Sequence, residues 1–229
     1  MRIIKAIFSK QAKDMFKNPM VFIMFLVFPG VAFIITLLMP EEYMTGNVIV
    51  TMMAAMFAGM GLINAASDVI AEDIERRSLR FLVIAGVKPH QYLIGTGGFF
   101  LLAGAVTSVV FALIGDFTAT ETAKFLAVMI CGTAASILLG IVIGMWSKNR
   151  QAATSLAMPA AVIVGFTPML ASFNETIEKV AGFLFTQQIN VIVNDFSVSI
   201  FGPLLVIALN IAVLAVLFVL AYKKKGLKG

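Results

Sequence analysis

The sequence predicts an all-α membrane protein with six transmembrane helices, and three observations lead to that prediction. The 229-residue chain is 60% hydrophobic and 13% charged. Its apolar residues form six runs, each close to the roughly 20 residues that a helix needs to cross a bilayer. No run alternates apolar and polar residues as a barrel strand does, so helices are the structure that satisfies the backbone in lipid. The predicted spans are residues 20–39, 48–67, 94–115, 125–146, 154–173 and 201–222.

The Lys and Arg residues indicate the side of the membrane on which each connection lies. Of the 17 basic residues, 15 lie before the first run, between the second and third, between the fourth and fifth, or after the sixth. The remaining connections carry only Lys124 and Lys179. The positive-inside rule therefore predicts that both termini are cytoplasmic. The net charge of +5 reflects this orientation and does not indicate nucleic-acid binding.

The amino-terminal segment, residues 1–19, precedes the first span. Apolar residues such as Ile3, Ile7 and Phe8 recur at helical spacing, while the lysines lie largely elsewhere around the helix. This pattern predicts a basic amphipathic helix in the inner membrane interface, ended by Asn18 and Pro19. The alternative is a simple charged flank of the first span.

The connection between the second and third spans is the most informative one. Ile70, Ile74, Phe81 and Leu82 recur at helical spacing, with charged residues between them. Acidic residues come first and basic residues later, as the helix dipole favours. We expect one amphipathic helix over residues 70–86, ended by Gly86. A short charged helix between two spans is suited to docking a cytosolic partner.

With this loop, the span count and the amino-terminal helix, essentially the whole chain resembles the permease, or membrane-subunit, family of prokaryotic type-2 ABC exporters. In that family the loop reads acidic-x-Glu-x-Gly-Thr-Leu, then a Leu-rich turn and a Gly before the third span. Arg77 stands where the family commonly has Gly, and Gly86 where many members have Pro. The matching positions are Asp73, Glu75, Ser78, Leu79, Leu82 and Gly95.

The resemblance implies that the loop is a coupling helix that docks in a groove of an ATP-binding cassette ATPase. It implies an assembly of two permeases, as a homodimer or with a close relative, and two ATPases. The chain has no GxxxxGK[ST] loop, so we expect ATP and Mg²⁺ to be bound by the separate ATPase and no cofactor or catalytic residue in this chain. The implied docking residues are Asp73, Glu75, Arg76, Ser78, Leu79 and Leu82.

The fourth span carries small residues at every fourth position, which allow another helix to approach closely. They are Gly132, Ser136, Gly140 and Gly144. The sequence leaves open whether this stripe packs within one protomer or between two.

The longest connections, 68–93 and 174–200, are too short at about 26 residues to bury a core, so a single transmembrane domain over 1–229 is expected. The 174–200 segment is apolar enough to re-enter the membrane, and a surface helix is the alternative.

The predicted cargo, and the choice between this function and its alternatives, rest partly on the scarcity of ionisable residues in the spans. No ionisable residue lies clearly within a predicted span, and Asp68, the nearest candidate, is expected at the cytoplasmic interface. This argues against a proton-driven carrier. A secondary carrier or channel and a membrane scaffold remain alternatives, whereas an intramembrane protease of the prenyl-protease type needs histidines within the membrane, and the one histidine, His90, lies in a connection. With a single Cys131 and a single His90, no metal site is expected. The prediction is export of an amphipathic or hydrophobic cargo, such as a membrane-active peptide, a toxin or a drug, across a prokaryotic plasma membrane.

Overall fold

A computed structural model describes residues 2–17, 19–38 and 47–227, and within these ranges the chain is helical without strands. A π-helical segment, Phe57–Gly61, joins α3 to α4 without interrupting the second span. The helices are α1 (Arg2–Lys17), α2 (Pro19–Leu38), α3 (Val48–Met56), α4 (Leu62–Glu75), α5 (Ser78–Ile84), α6 (Pro89–Ile114), α7 (Ala119–Trp146), α8 (Arg150–Ala171), α9 (Glu175–Ala181), α10 (Phe185–Asn194) and α11 (Phe201–Leu227).

The described residues contain six helices long and apolar enough to cross a membrane, which confirms the predicted number. α2, α6, α7, α8 and α11 are the first, third, fourth, fifth and sixth spans, and α3 with α4 forms the second. The second span continues as a helix to Glu75, beyond its predicted end at residue 67, because the polar residues of its last turns are partnered within the protein. α1 ends at Lys17 and α2 begins at Pro19; the predicted break falls on Asn18, which lies outside the described residues.

The segment 70–86 forms two helices instead of the one that its periodicity predicts. α4 ends at Glu75, and Arg77 then adopts a left-handed backbone conformation with φ 60°. α5 begins after it, and Gly86, with φ 79°, ends the segment. A left-handed residue turns the chain away from the helix axis, so the apolar positions of α5 are out of phase with those of α4. Nothing in the periodicity of the sequence signals this change.

The fourth span lies at the centre of the bundle. α7 packs against α4, α6, α10 and α11, and its buried residues include Phe125, Met129 and Ile141. The first and sixth spans lie outside, with 22% and 17% of their apolar windows buried. Their remaining apolar surface has no covering element among the described residues, as expected of lipid-facing or subunit-facing helices.

The stripe of small residues on α7 packs within the protomer. A Cβ at Gly140 would lie 2.5 Å from the carbonyl oxygen of Ile63, and one at Gly144 would lie 2.7 Å from that of Ser67. Gly132 faces Ile189 of α10 with no room for a side chain. Ser136 donates a hydrogen bond to the carbonyl of Ala58 in the π-helical segment. The stripe therefore joins the fourth span to the second span and to α10.

The amino-terminal helix lies against the third span. Ile7 is buried against Gly95, and the ring of Phe8 meets that of Phe99 edge-on with centroids 5.5 Å apart. The apolar face of α1 thus covers α6 of the same chain, while Arg2, Lys5 and Lys13 are exposed. The position of α1 in the membrane interface stays a prediction.

The long segment between the fifth and sixth spans is folded into the bundle. α10 buries Phe185, Ile189 and Ile192 against neighbouring helices, and the hydroxyl of Thr186 donates to the carbonyl of Val164 in α8 at 2.8 Å. This burial shows that α10 is a packed element of the fold. Its depth in a bilayer stays a prediction.

Candidate functional site

Six helices, whole or by one end, meet at one end of the bundle, which we call the basic end. It contains α1, the last turns of α4, α5, and the first turns of α6 and α8. The last turns of α11 join them, because the hydroxyl of Tyr222 donates to the carbonyl of Val87 at 2.9 Å. All six predicted docking residues lie here: Asp73, Glu75, Arg76, Ser78, Leu79 and Leu82.

Asp73 is buried at the centre of this end, with 3% of its surface exposed. Its carboxylate pairs with the ammonium of Lys10 in α1 and accepts a hydrogen bond from the hydroxyl of Tyr92 in α6 at 2.9 Å. A buried carboxylate needs such partners, because an uncompensated charge inside a protein is costly. Asp73 therefore holds three helices together, and its side chain is not accessible to a docking partner in this structure.

A second cluster joins the fifth span to the end of the second. The guanidinium of Arg150, the first residue of α8, binds the carboxylate of Asp68 through two hydrogen bonds of 2.8 and 2.6 Å. It also lies 3.5 Å from Glu72. The carboxylate of Glu75 accepts the backbone N–H of Arg150 at 3.0 Å, where the free N–H groups of a helix favour an anion. Arg76 pairs with Glu72 at 2.7 Å, so four charged side chains of α4 and its end are linked around Arg150.

The predicted docking residues of α5 divide between its two faces. Leu79 is 4% exposed and packs into the core, and Ser78 and Leu82 are half-buried. The exposed face instead presents Phe81 and Ile84, whose side chains are 69% and 72% exposed. The sequence analysis missed this face because it treated residues 70–86 as one helix; only the break at Arg77 shows which residues point outward.

The arginines Arg77 and Arg80 are exposed beside this apolar pair. We call Arg77, Arg80, Phe81 and Ile84 the α5 face. Neutral apolar surface flanked by guanidinium groups is typical of the centre of protein interfaces, where aromatic residues and Arg are enriched. The α5 face can therefore bind a protein partner that offers an apolar groove with acidic edges.

A cavity of about 360 Å³ lies beside the two charged clusters, the one around Asp73 and the one around Arg150. Its lining includes Lys10, Asp14, Glu72, Asp73 and Arg150. Basic and acidic side chains alternate around it, and most are already paired with one another. No group of three His, Cys, Asp or Glu side chains that could hold a metal ion is found in the described part of the chain.

Six long apolar helices with a packed core, and with most of the basic residues at one end, define a multi-pass membrane protein. Residues 2–193 match the family described as ABC-2 type transporter, and the chain belongs to that family. The match covers α1 to α9 and nearly all of α10, which includes both clusters and the α5 face. This confirms the resemblance, and it makes the chain a transmembrane permease component of an ABC transporter, a component that is generally not catalytic itself. No curated protein matches the chain.

Proposed function

We propose that this chain is the permease of an ATP-driven exporter and that a separate ATPase docks on the α5 face. Family membership implies an ATP-binding cassette ATPase as partner. The observation that supports this docking site is the exposure of Phe81 and Ile84 on the seven-residue helix α5, with the exposed Arg77 and Arg80 beside them. Burying two such side chains contributes several kcal/mol to association, at about 2 kcal/mol for each large apolar residue.

The basic end faces the cytoplasm in this proposal, because ATP is there and because the basic residues obey the positive-inside rule. Two copies of the chain pair around the pathway, and each presents one α5 face to one ATPase. This stoichiometry follows from six spans being half of the usual set in such exporters. The exposed apolar surface of the first, fifth and sixth spans supplies the area for pairing, with side chains such as Leu26, Ile163 and Val213 uncovered.

The proposed cargo is amphipathic or hydrophobic, such as a membrane-active peptide or a lipophilic drug. A cavity of about 160 Å³ at the end opposite the basic end supports this class. It lies between the second span, the fifth span and α10, and is lined by Met52, Met56 and Met169 together with Asn190 and Asn194. Methionine adapts to varied apolar shapes, and amide side chains hydrogen-bond to peptide-like groups.

The docking proposal is tested by co-expressing the chain with candidate ATP-binding cassette ATPases from the same genome. We expect one of them to co-purify with the chain and ATP hydrolysis to be detectable. The double substitution Phe81→Ala, Ile84→Ala is expected to reduce the recovered ATPase at least tenfold, which corresponds to about 1.4 kcal/mol. The free energy of unfolding should be unchanged, because both side chains are exposed.

The matched control removes another exposed apolar pair, Leu102→Ala with Val106→Ala, from α6, which is not among the spans proposed to pair; these side chains are 56% and 59% exposed. The control should retain the ATPase. Equal retention by both double variants would place docking elsewhere on the chain. If the native chain recovers no ATPase, the hypothesis that the chain acts as a carrier, channel or scaffold is favoured over the exporter proposal.

A further inference from the structure

The second and fifth spans face each other along their length, and the contact between them differs at the basic end, in the middle and at the opposite end. At the basic end they are joined by the cluster around Arg150. In the middle, the backbone of the π-helical segment meets that of α8, since a Cβ at Gly59 would lie 2.6 Å from the Cα of Gly165. At the other end, the two spans separate around the 160 Å³ cavity with Met52 on one side and Met169 on the other.

We infer that Arg150 is the positioning residue that transfers movement of α5 to the fifth span and, through it, to the cavity at the opposite end. The inference rests on the proposed function, because it assumes that an ATPase displaces α5. α5 is joined to α4 by the two residues Arg76 and Arg77, so a displacement of α5 reaches the last turn of α4 directly.

Arg150 then ties that turn to the start of α8. Its side chain binds Asp68 in a bidentate pair, a geometry that fixes orientation as well as distance. Its backbone N–H binds Glu75, the last residue of α4, so side chain and main chain are held at two points one to two turns apart. The start of α8 cannot turn relative to the end of α4 without breaking one of these contacts.

The Gly59–Gly165 approach supplies the pivot. The side chain of Met60 packs against Gly165 and that of Thr186 lies beside Gly59, so the two spans are in close contact at this level and their spacing is fixed there. Pro159 and Pro168 lie on either side of Gly165 in α8 and limit its intrahelical hydrogen bonds, while π-helical segments often mark functional positions. Movement at the basic end therefore changes the spacing of Met52 and Met169 at the cavity.

The test measures the cavity directly with a cysteine, so that no cargo is needed. Cys131 is replaced by Ser and Asn190, which lines the cavity and is half-buried, by Cys. The permease–ATPase complex is purified, and the rate of alkylation by a small maleimide is compared without nucleotide and after trapping with ATP and vanadate. We expect trapping to change the rate by about fivefold or more.

Arg150→Gln should abolish this change while the ATPase still co-purifies and hydrolyses ATP. Arg150→Lys keeps the charge but cannot form the bidentate pair, and should retain part of the change in alkylation rate. The control is Lys148→Gln, which removes a positive charge two residues before Arg150; Lys148 is exposed and forms no ion pair within the described residues. It should behave as the parent does.

A full rate change in Arg150→Gln, or none in the parent complex, overturns the inference while leaving the exporter proposal standing. Failure of the parent to bind an ATPase rejects the proposed function instead. If Arg150→Gln does not fold, the neutral pair Asp68→Asn with Arg150→Gln is measured in its place, since it leaves no unpaired charge. If neither folds, the cluster serves stability and the inference is rejected.

Discussion

Arg77 adopts a backbone conformation that glycine reaches without strain. Its φ of 60° places an L side chain in the left-handed region, and the residue separates α4 from α5. The family commonly carries Gly at this position, and the geometry supplies the physical reason. The orientation of the α5 face depends on this turn, because the turn sets which residues of α5 point outward.

Arg77→Gly is therefore expected to raise the free energy of unfolding by about 1 kcal/mol, since the strain removed exceeds the added chain entropy. Thermal unfolding in detergent measures it. Arg80→Gly is the control, because Arg80 lies inside α5 with helical geometry, and it should lower stability by about 1 kcal/mol. Loss of stability in both variants would contradict the strain at Arg77.

Two carboxylates of α4, Asp73 and Asp68, have different roles. Asp73, 3% exposed, was expected on the docking surface and instead joins α1, α4 and α6. Asp68 was expected at the cytoplasmic interface, and its side chain pairs with that of Arg150, 82 positions away. Neither partner could be identified from the sequence, because spacing along a helix gives the face of a residue but not the helix it meets.

At the scale of helices, the approach of the second and fourth spans depends on Gly140 and Gly144. The carbonyls of Ile63 and Ser67 occupy the space that side chains would need. The sequence indicated a close helix contact from the four-residue spacing, and it left the partner open. The structure identifies the second span and α10 of the same chain as the partners.

Gly140→Ala should destabilise the protein by about 1–3 kcal/mol, because backbone on the facing helix must move. Gly98→Ala is the matched control in the third span, where a Cβ meets nothing within 4 Å. It should leave stability unchanged or raise it by up to about 1 kcal/mol, as Ala favours a helix over Gly. Equal losses of stability in the two variants would show that the close contact at Gly140 is not the cause of the destabilisation.

At the scale of the whole molecule, the orientation of the bundle follows from charge. The proposed arrangement puts Ile84, near the basic end, in the cytoplasm and Phe183, between α9 and α10, outside. Both side chains are well exposed, at 72% and 78%. In a Cys131→Ser background expressed without the ATPase, Phe183→Cys should react with an impermeant maleimide on intact cells. Ile84→Cys should react only after permeabilisation, and the reverse pattern would invert the topology.

The sequence by itself determined the number of spans, their approximate bounds and the separation of charge between the two ends. These features are local, because the length of an apolar run and the charge beside it do not depend on what the run packs against. Only the tertiary structure decided that Asp73 is buried, that Arg150 pairs with Asp68, and that Phe81 and Ile84 face outward. Each of these depends on a left-handed turn or on contacts between distant residues, and a one-dimensional pattern contains neither.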